Sequence, residues 1–112
     1  MKKLLIVLFL ILAVTPVLLT VAKEKPQVVF FHMHGCSACK GFTPLYEQMS
    51  SKYSNKFSFV KQDINTSRLA DKLRISSVPA VFIIEPTTNA KTEISYDCLT
   101  QQGCFEQKLS NY

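Results

Sequence analysis

Apolar and polar residues are distributed differently before and after residue 22 of this 112-residue chain. After Lys2 and Lys3, residues 4–22 are almost entirely apolar, whereas apolar and polar positions are mixed throughout residues 23–112. A body of that length can build one modest hydrophobic core and is too short for two. The pattern therefore predicts a leader at 1–22 and a single domain at 23–112.

The leader fits two kinds of export segment. A basic start, an apolar run at 4–14 and the small residues Thr20 and Ala22 before Lys23 are typical of a cleaved signal peptide. Residues 4–22 are also close to the ~20 apolar residues that span a bilayer, which predicts an uncleaved anchor with a transmembrane helix. Both readings keep the basic end in the cytoplasm and export the domain to a periplasm, a secretory lumen or the extracellular space. The domain is then either secreted or tethered to the membrane.

Within the body, the spacing of apolar residues alternates between strand and helix patterns. Runs of β-branched and aromatic residues predict buried strands, apolar residues three or four apart predict amphipathic helices, and strict alternation predicts an edge strand. The predicted strands are 27–32, 57–63, 80–85 and the edge strand 91–96, and the predicted helices are 37–53, 67–73 and 100–109. Pro44 is expected to kink the first helix. The order β-α-β-α-β-β-α predicts an α/β fold: a four-stranded mixed sheet flanked by helices, with a right-handed crossover between its parallel strands.

Composition and charge argue against several classes of function. The chain carries 13 Lys and Arg against 8 Asp and Glu, so its formal charge is +5. Without the two leader lysines the body is only +3, and no basic run exceeds two residues. Duplex binding needs clustered phosphate contacts, so nucleic acid is not an expected partner. The sequence has no GxGxxG, P-loop or HExxH motif, and we predict no cofactor.

Cys36 and Cys39 form a Cys-X-X-Cys motif between the first predicted strand and the helix that follows it. A three-residue offset at the start of a helix places two sulfur atoms within reach of a disulfide. The helix N-terminus presents unpaired N–H groups and a partial positive charge, which stabilise a thiolate. Cys36 is therefore the expected nucleophile, with a lowered pKa, and Cys39 the more buried resolving thiol of a redox-active centre. An inert disulfide and half of a zinc site are the alternatives.

The segment 28–49, VVFFHMHGCSACKGFTPLYEQM, resembles the strand, active-site turn and kinked helix of the thioredoxin superfamily. Ser77-Val78-Pro79 is similar to the cis-proline loop of thioredoxins and protein disulfide isomerase domains. The resemblance implies a thioredoxin-like fold and a protein thiol–disulfide oxidoreductase. Its partners would be cysteine-containing client proteins and an unidentified redox partner. The resemblance also implies a cis bond before Pro79, with Val78 and Pro79 forming the edge where an extended client docks.

Three positions depart from the pattern of that family. Phe30 stands where the family often has a buried Asp or Glu that assists proton transfer, so the proton route is expected to be altered or to run through solvent. Gly35 stands where the family usually has Trp. Ser37-Ala38 between the cysteines matches none of the usual dipeptides. Because that dipeptide tunes the reduction potential, the direction of the reaction (reductase, oxidase or isomerase) stays open.

His32 and His34 alternate with Cys36, so an extended chain would place these three side chains on one side. With Cys39 they form a candidate copper or zinc site, which gives a metal-binding module as an alternative function. His34 by itself is a candidate modulator that donates a proton or pairs with the Cys36 thiolate. Packing and solvent exposure at the end of the strand form the third interpretation.

Cys98 and Cys104 would fall on different faces of a continuous helix, so the chain between them is expected to bend at Gly103. A structural disulfide that holds the last helix is the main prediction. The alternatives are a second redox pair that relays electrons to Cys36 and Cys39, and free or intermolecular thiols. A redox-silent thioredoxin-like interaction domain, which keeps the fold and the docking edge, is the third candidate function.

Overall fold

The computed structural model describes residues 24–112, so the predicted leader at 1–22 lies outside the described residues. The strands are β1 (Gln27–His32), β2 (Ser58–Asp63), β3 (Ala80–Ile84) and β4 (Lys91–Ile94). The helices are α1 (Ser37–Lys52), α2 (Arg68–Leu73), α3 (Tyr96–Thr100) and α4 (Cys104–Ser110). None of these helices is long and apolar enough to cross a membrane.

The four strands form one mixed sheet in the order β2-β1-β3-β4. β1 runs parallel to β2 and antiparallel to β3, and β3 pairs antiparallel with β4. The predicted α/β fold with a four-stranded mixed sheet is confirmed. Because β1 is an inner strand, the loop that follows it emerges from the interior of the sheet rather than from its edge.

Hydrophobic cores cover both faces of the sheet. Val28 and Phe30 of β1 belong to a core shared with α1, α3 and α4, whereas Val29 and Phe31 belong to a second core beside α2. All four residues are at most 1% exposed. The unbroken apolar run of β1 therefore reflects burial on both faces, as predicted.

The C-terminal part of the chain differs from the predicted strand at 91–96 and single helix at 100–109. β4 stops earlier, because the Ser95 hydroxyl accepts the Cys98 N–H at 3.3 Å and caps α3. The next helix is separate, since Gly103 has a φ of +80°, in the left-handed region that glycine adopts easily. Two short helices with a bend between them therefore replace the single predicted one.

Tyr46 of α1 fastens the helix to the sheet. Its hydroxyl lies 3.0 Å from the Val28 carbonyl oxygen of β1 and 2.8 Å from the Val60 carbonyl oxygen of β2. Burial raises the pKa of Tyr46, because the charged phenolate is poorly solvated there. The helix that carries the Cys-X-X-Cys motif is thus bonded to both parallel strands.

Replacing Tyr46 with phenylalanine is expected to lower the free energy of unfolding by about 1–2 kcal/mol, because the carbonyl oxygens of Val28 and Val60 lose the hydroxyl hydrogen that they share. Tyr53→Phe is the matched control, since the Tyr53 hydroxyl contacts only Glu106, at 3.4 Å near the surface. Urea unfolding measures both changes. Equal losses in the two variants would show that the Tyr46 hydroxyl does not tie α1 to the sheet.

Candidate active site

The loop between β1 and α1 places Cys36 at the N-terminus of the helix. The Cys36 N–H donates to the Met33 carbonyl oxygen at 3.2 Å and closes a tight turn. Gly35 in this turn has a φ of +81°, which residues with a side chain rarely adopt, so the turn accounts for a glycine where the resemblance implied tryptophan. Cys36 is the N-cap residue of α1, which begins at Ser37.

The two sulfur atoms of the motif have different surroundings. Cys36 and Cys39 form a disulfide, with their Cα atoms 5.2 Å apart. Cys36 is half-buried, whereas Cys39 is only 4% exposed and belongs to the core beneath α1. The Cys36 sulfur also accepts the Cys39 N–H at 3.0 Å. A reactant arriving from solvent therefore meets Cys36 before Cys39.

The N-terminus of α1 favours negative charge on the Cys36 sulfur. The first turn of the helix contains no acidic residue, so no carboxylate of its own offsets the partial positive charge there. Lys40 is exposed at the end of that turn and adds a full positive charge to the same surface. Backbone and side chain together favour a thiolate at Cys36 once the disulfide is reduced.

Phe30 fills the space where the resemblance implied a carboxylate. It is 1% exposed, and its ring stacks on Phe42 with the ring centres 5.0 Å apart and the planes 8° apart. A cavity of about 250 Å³ lies beside Phe30 and reaches both cysteines. Among residues 24–112, no Asp or Glu lines the cavity, so it offers no carboxylate to accept a proton from Cys39.

The two histidines do not form the row with Cys36 that an extended chain would give. His32 ends β1 and packs against Phe30, with the ring centres 5.9 Å apart, whereas His34 is exposed in the turn. The chain turns at His34 and Gly35, which breaks the alternation. Across residues 24–112, no three His, Cys, Asp or Glu side chains are arranged to hold a metal ion. The geometry thus gives no support to a metal site made of His32, His34, Cys36 and Cys39.

Val78 and Pro79 precede β3, and the peptide bond between them is cis, as the resemblance implied. Val78 is half-buried and packs against the same core as Cys36. A groove of about 330 Å³ runs beside the two residues, and its other wall includes Glu93 and Tyr96. The cis-proline segment therefore borders an open groove and shares a core with the reactive disulfide.

Cys98 and Cys104 form a second disulfide, with their Cα atoms 5.1 Å apart. It joins α3 to α4 across the bend at Gly103. Cys98 is 4% exposed and Cys104 is half-buried against the main core. With both pairs formed, the described part of the chain contains no free cysteine.

Several residues that line these sites were not among the candidates from the sequence, among them Lys40, Lys61, Glu93 and Tyr96. Lys61 reaches the cavity beside the cysteines because the parallel register pairs it with Phe30. Following the predicted parallel pairing from Phe30 to the neighbouring strand would have found it. Tyr96 lies at the groove because β4 ends at Ile94, and only the Ser95 cap signals that ending.

Comparison with known proteins agrees with this architecture. The sequence matches the model of the Thioredoxin family over residues 17–108. It is 23% identical over 90 residues to a thioredoxin of Borreliella burgdorferi, a match that covers 80% of this chain and 74% of that protein. It is also 29% identical over 77 residues to a protein disulfide-isomerase of Drosophila melanogaster, covering 67% of this chain and 15% of that protein.

Among solved structures, the fold is similar to that of the reduced thioredoxin pre-protein of Schistosoma mansoni. The two superpose with a TM-score of 0.65 at 27% sequence identity, covering 80% of this chain and 81% of that chain. The family match extends over the whole sheet and over the Cys-X-X-Cys pair at the start of α1. This chain therefore belongs to the thioredoxin family and is a redox protein of that family, with its Cys-X-X-Cys pair at disulfide distance.

Proposed function

We propose that this protein is an exported or membrane-tethered thiol–disulfide oxidoreductase that exchanges disulfides with cysteine-containing client proteins. Cys36 is the nucleophile and Cys39 the resolving thiol of a Cys-Ser-Ala-Cys active site. One observation carries the proposal: the half-buried Cys36 caps the N-terminus of α1, while Cys39 is buried behind it at disulfide distance. That asymmetry is what a two-step exchange through a mixed disulfide requires.

In the reducing direction, the Cys36 thiolate attacks one sulfur of a client disulfide, and the other client sulfur leaves as a thiolate. Cys39 then loses its proton to solvent, and its thiolate attacks the Cys36 sulfur. The bond between Cys36 and the client breaks, and the second client sulfur leaves. Two electrons have passed to the client, and the Cys36–Cys39 disulfide remains. The oxidising direction is the same sequence in reverse.

Val78 and Pro79 are the proposed docking edge for the client. Val78 shares a core with Cys36, and Val78 and Pro79 border an open groove. An extended peptide would pair with the backbone N–H and carbonyl groups of Val78, as strands pair at a sheet edge. Such pairing is independent of sequence and would hold the client sulfur over Cys36.

The direction of exchange follows from the reduction potential of the Cys36–Cys39 pair, which the Ser37-Ala38 dipeptide does not reveal. Equilibration with defined mixtures of reduced and oxidised glutathione measures it, and ~30 mV corresponds to ~1.4 kcal/mol for this two-electron couple. The same mixtures, with catalytic amounts of protein and a disulfide peptide as substrate, test turnover. Many turnovers per protein molecule would support the oxidoreductase. No turnover would contradict it and favour a redox-silent interaction domain.

For the compartment, we propose that residues 1–22 export the domain 23–112, as a cleaved signal peptide or as an anchor. The leader has the basic start and apolar run of an export segment, and the four cysteines of the body suit an oxidising environment. Cell fractionation of the full chain, with N-terminal sequencing of the exported product, separates the two forms, because cleavage would leave Lys23 first. Recovery of the full chain in the same fraction as a chain lacking 1–22 would contradict export.

A further inference from the structure

The cavity beside the reactive disulfide is lined by basic side chains. Cys36 and Cys39 form part of its wall, and four nitrogen-bearing side chains form much of the rest: His32, His34, Lys40 and Lys61. No carboxylate of the part of the chain that the structure describes lines this cavity. A negatively charged group placed in this cavity would therefore meet cations and N–H donors, and the only like charge that the described lining residues could add is that of the Cys36 thiolate.

Lys40 and Lys61 contribute unequally to that charge. Lys61 donates to Glu47 at 2.9 Å, but the two side chains are 40% and 62% exposed, so this surface pair neutralises Lys61 only in part. Lys40 is exposed and takes part in neither of the salt bridges found in residues 24–112. It is therefore the main uncompensated charge at the cavity, and it lies in the same helix turn as Cys39.

The groove beside the cis proline has the opposite character. Among the described residues, Glu93 is the only charged residue that lines this groove, and the half-exposed Tyr96 lines it as well. The groove and the cavity share no lining residue, so the acidic and the basic side chains belong to separate surfaces.

We propose, resting on the function proposed above, that the basic cavity selects clients with acidic residues next to the reacting cysteine. A client carboxylate enters the cavity between His34, Lys40 and Lys61 while the client sulfur lies at Cys36. The attraction is strongest at low ionic strength, because charges at a partly exposed surface are screened by salt. It favours encounter and orientation and changes no step of the sulfur exchange.

Three disulfide peptides that differ only in the two residues beside the reacting cysteine test the proposal: Glu-Glu, Gln-Gln and Lys-Lys. With reduced protein at low salt, kcat/KM is expected to be about five-fold higher for the Glu-Glu than for the Gln-Gln peptide, with the Lys-Lys peptide slowest. The preference is expected to fall towards one at high salt. Equal rates for the three peptides, or a preference for Lys-Lys, would overturn the proposal while leaving the proposed function intact.

Lys40→Gln separates the cavity from the overall positive charge of the protein. It is expected to reduce the Glu-Glu to Gln-Gln ratio about three-fold, whereas Lys72→Gln, the same charge change at an exposed residue of α2 outside the cavity, is expected to leave it unchanged. Because the ratio compares peptides on one variant, a shift in Cys36 reactivity cancels. Equal reductions in both variants, or none in either, would overturn the proposal. No exchange with any peptide would overturn the proposed function and, with it, this inference.

Discussion

Replacing Cys36 with serine is expected to abolish disulfide exchange, lowering the rate by at least about a thousand-fold. A serine hydroxyl neither ionises near neutral pH nor forms a disulfide, and the remaining thiol of Cys39 is only 4% exposed. Replacing Cys39 with serine is expected to act differently. Cys36 still attacks the client, but the mixed disulfide has no internal thiol to release it and accumulates.

Turnover of a disulfide peptide measures the first variant, and non-reducing electrophoresis with mass spectrometry detects the trapped adduct of the second. Thermal unfolding of both variants is the control for loss of fold. Turnover by Cys36→Ser, or trapping by that variant and not by Cys39→Ser, would reverse the assigned roles. Turnover by both variants would place the chemistry elsewhere.

Removing the second disulfide, with Cys98→Ala and Cys104→Ala together, is expected to cost about 2 kcal/mol in the free energy of unfolding. Loop-closure entropy predicts that size for a short closed loop. For a domain of this length the loss corresponds to a fall in Tm of roughly 10 °C. The bridge fastens α3 to α4 at the bend, and it contributes to the core through the buried Cys98.

The disulfide-exchange activity of this double variant, measured below its melting transition, distinguishes a structural disulfide from a second redox pair. A structural disulfide predicts that the double variant keeps its activity per folded molecule. The Cys36→Ala and Cys39→Ala double variant is the matched control, since it also removes one short disulfide but is expected to lose all exchange. Loss of activity from the folded Cys98 and Cys104 variant would instead favour an electron relay.

The sequence predicted those parts of the fold that are encoded locally. β1 was evident because its run is apolar on both faces, and α1 because its buried residues recur at helical spacing: Cys39, Phe42, Tyr46 and Met49. The Cys-X-X-Cys motif could be identified as a candidate redox site from its position between that strand and that helix alone. The end of β4 was less predictable. The alternating pattern continues to residue 96, but the hydroxyl of Ser95 caps α3 and ends the strand before it.

The surroundings of the cysteines depended on contacts between distant segments. Lys61 joins the cavity only through the register of β2 against β1, and the expected row of His32, His34 and Cys36 fails because a turn replaces extended chain. Phe30 was recognised as a departure, but only its stack on Phe42 explains how the core fills that position. Sequence patterns thus located the reactive sulfur atoms, and tertiary packing determined their neighbours.

Alkylation of the fully reduced protein by iodoacetamide tests the central assignment most directly. The rate at each cysteine is followed by fragment-ion mass spectrometry across a pH range from about 4 to 10, with a free cysteine peptide as reference, because only thiolates react. The expected result is that Cys36 reacts first, with its half-maximal rate at a lower pH than the reference, while Cys39 reacts far more slowly. Faster reaction at Cys39, or a Cys36 rate that rises no earlier than that of the peptide, would contradict the assignment.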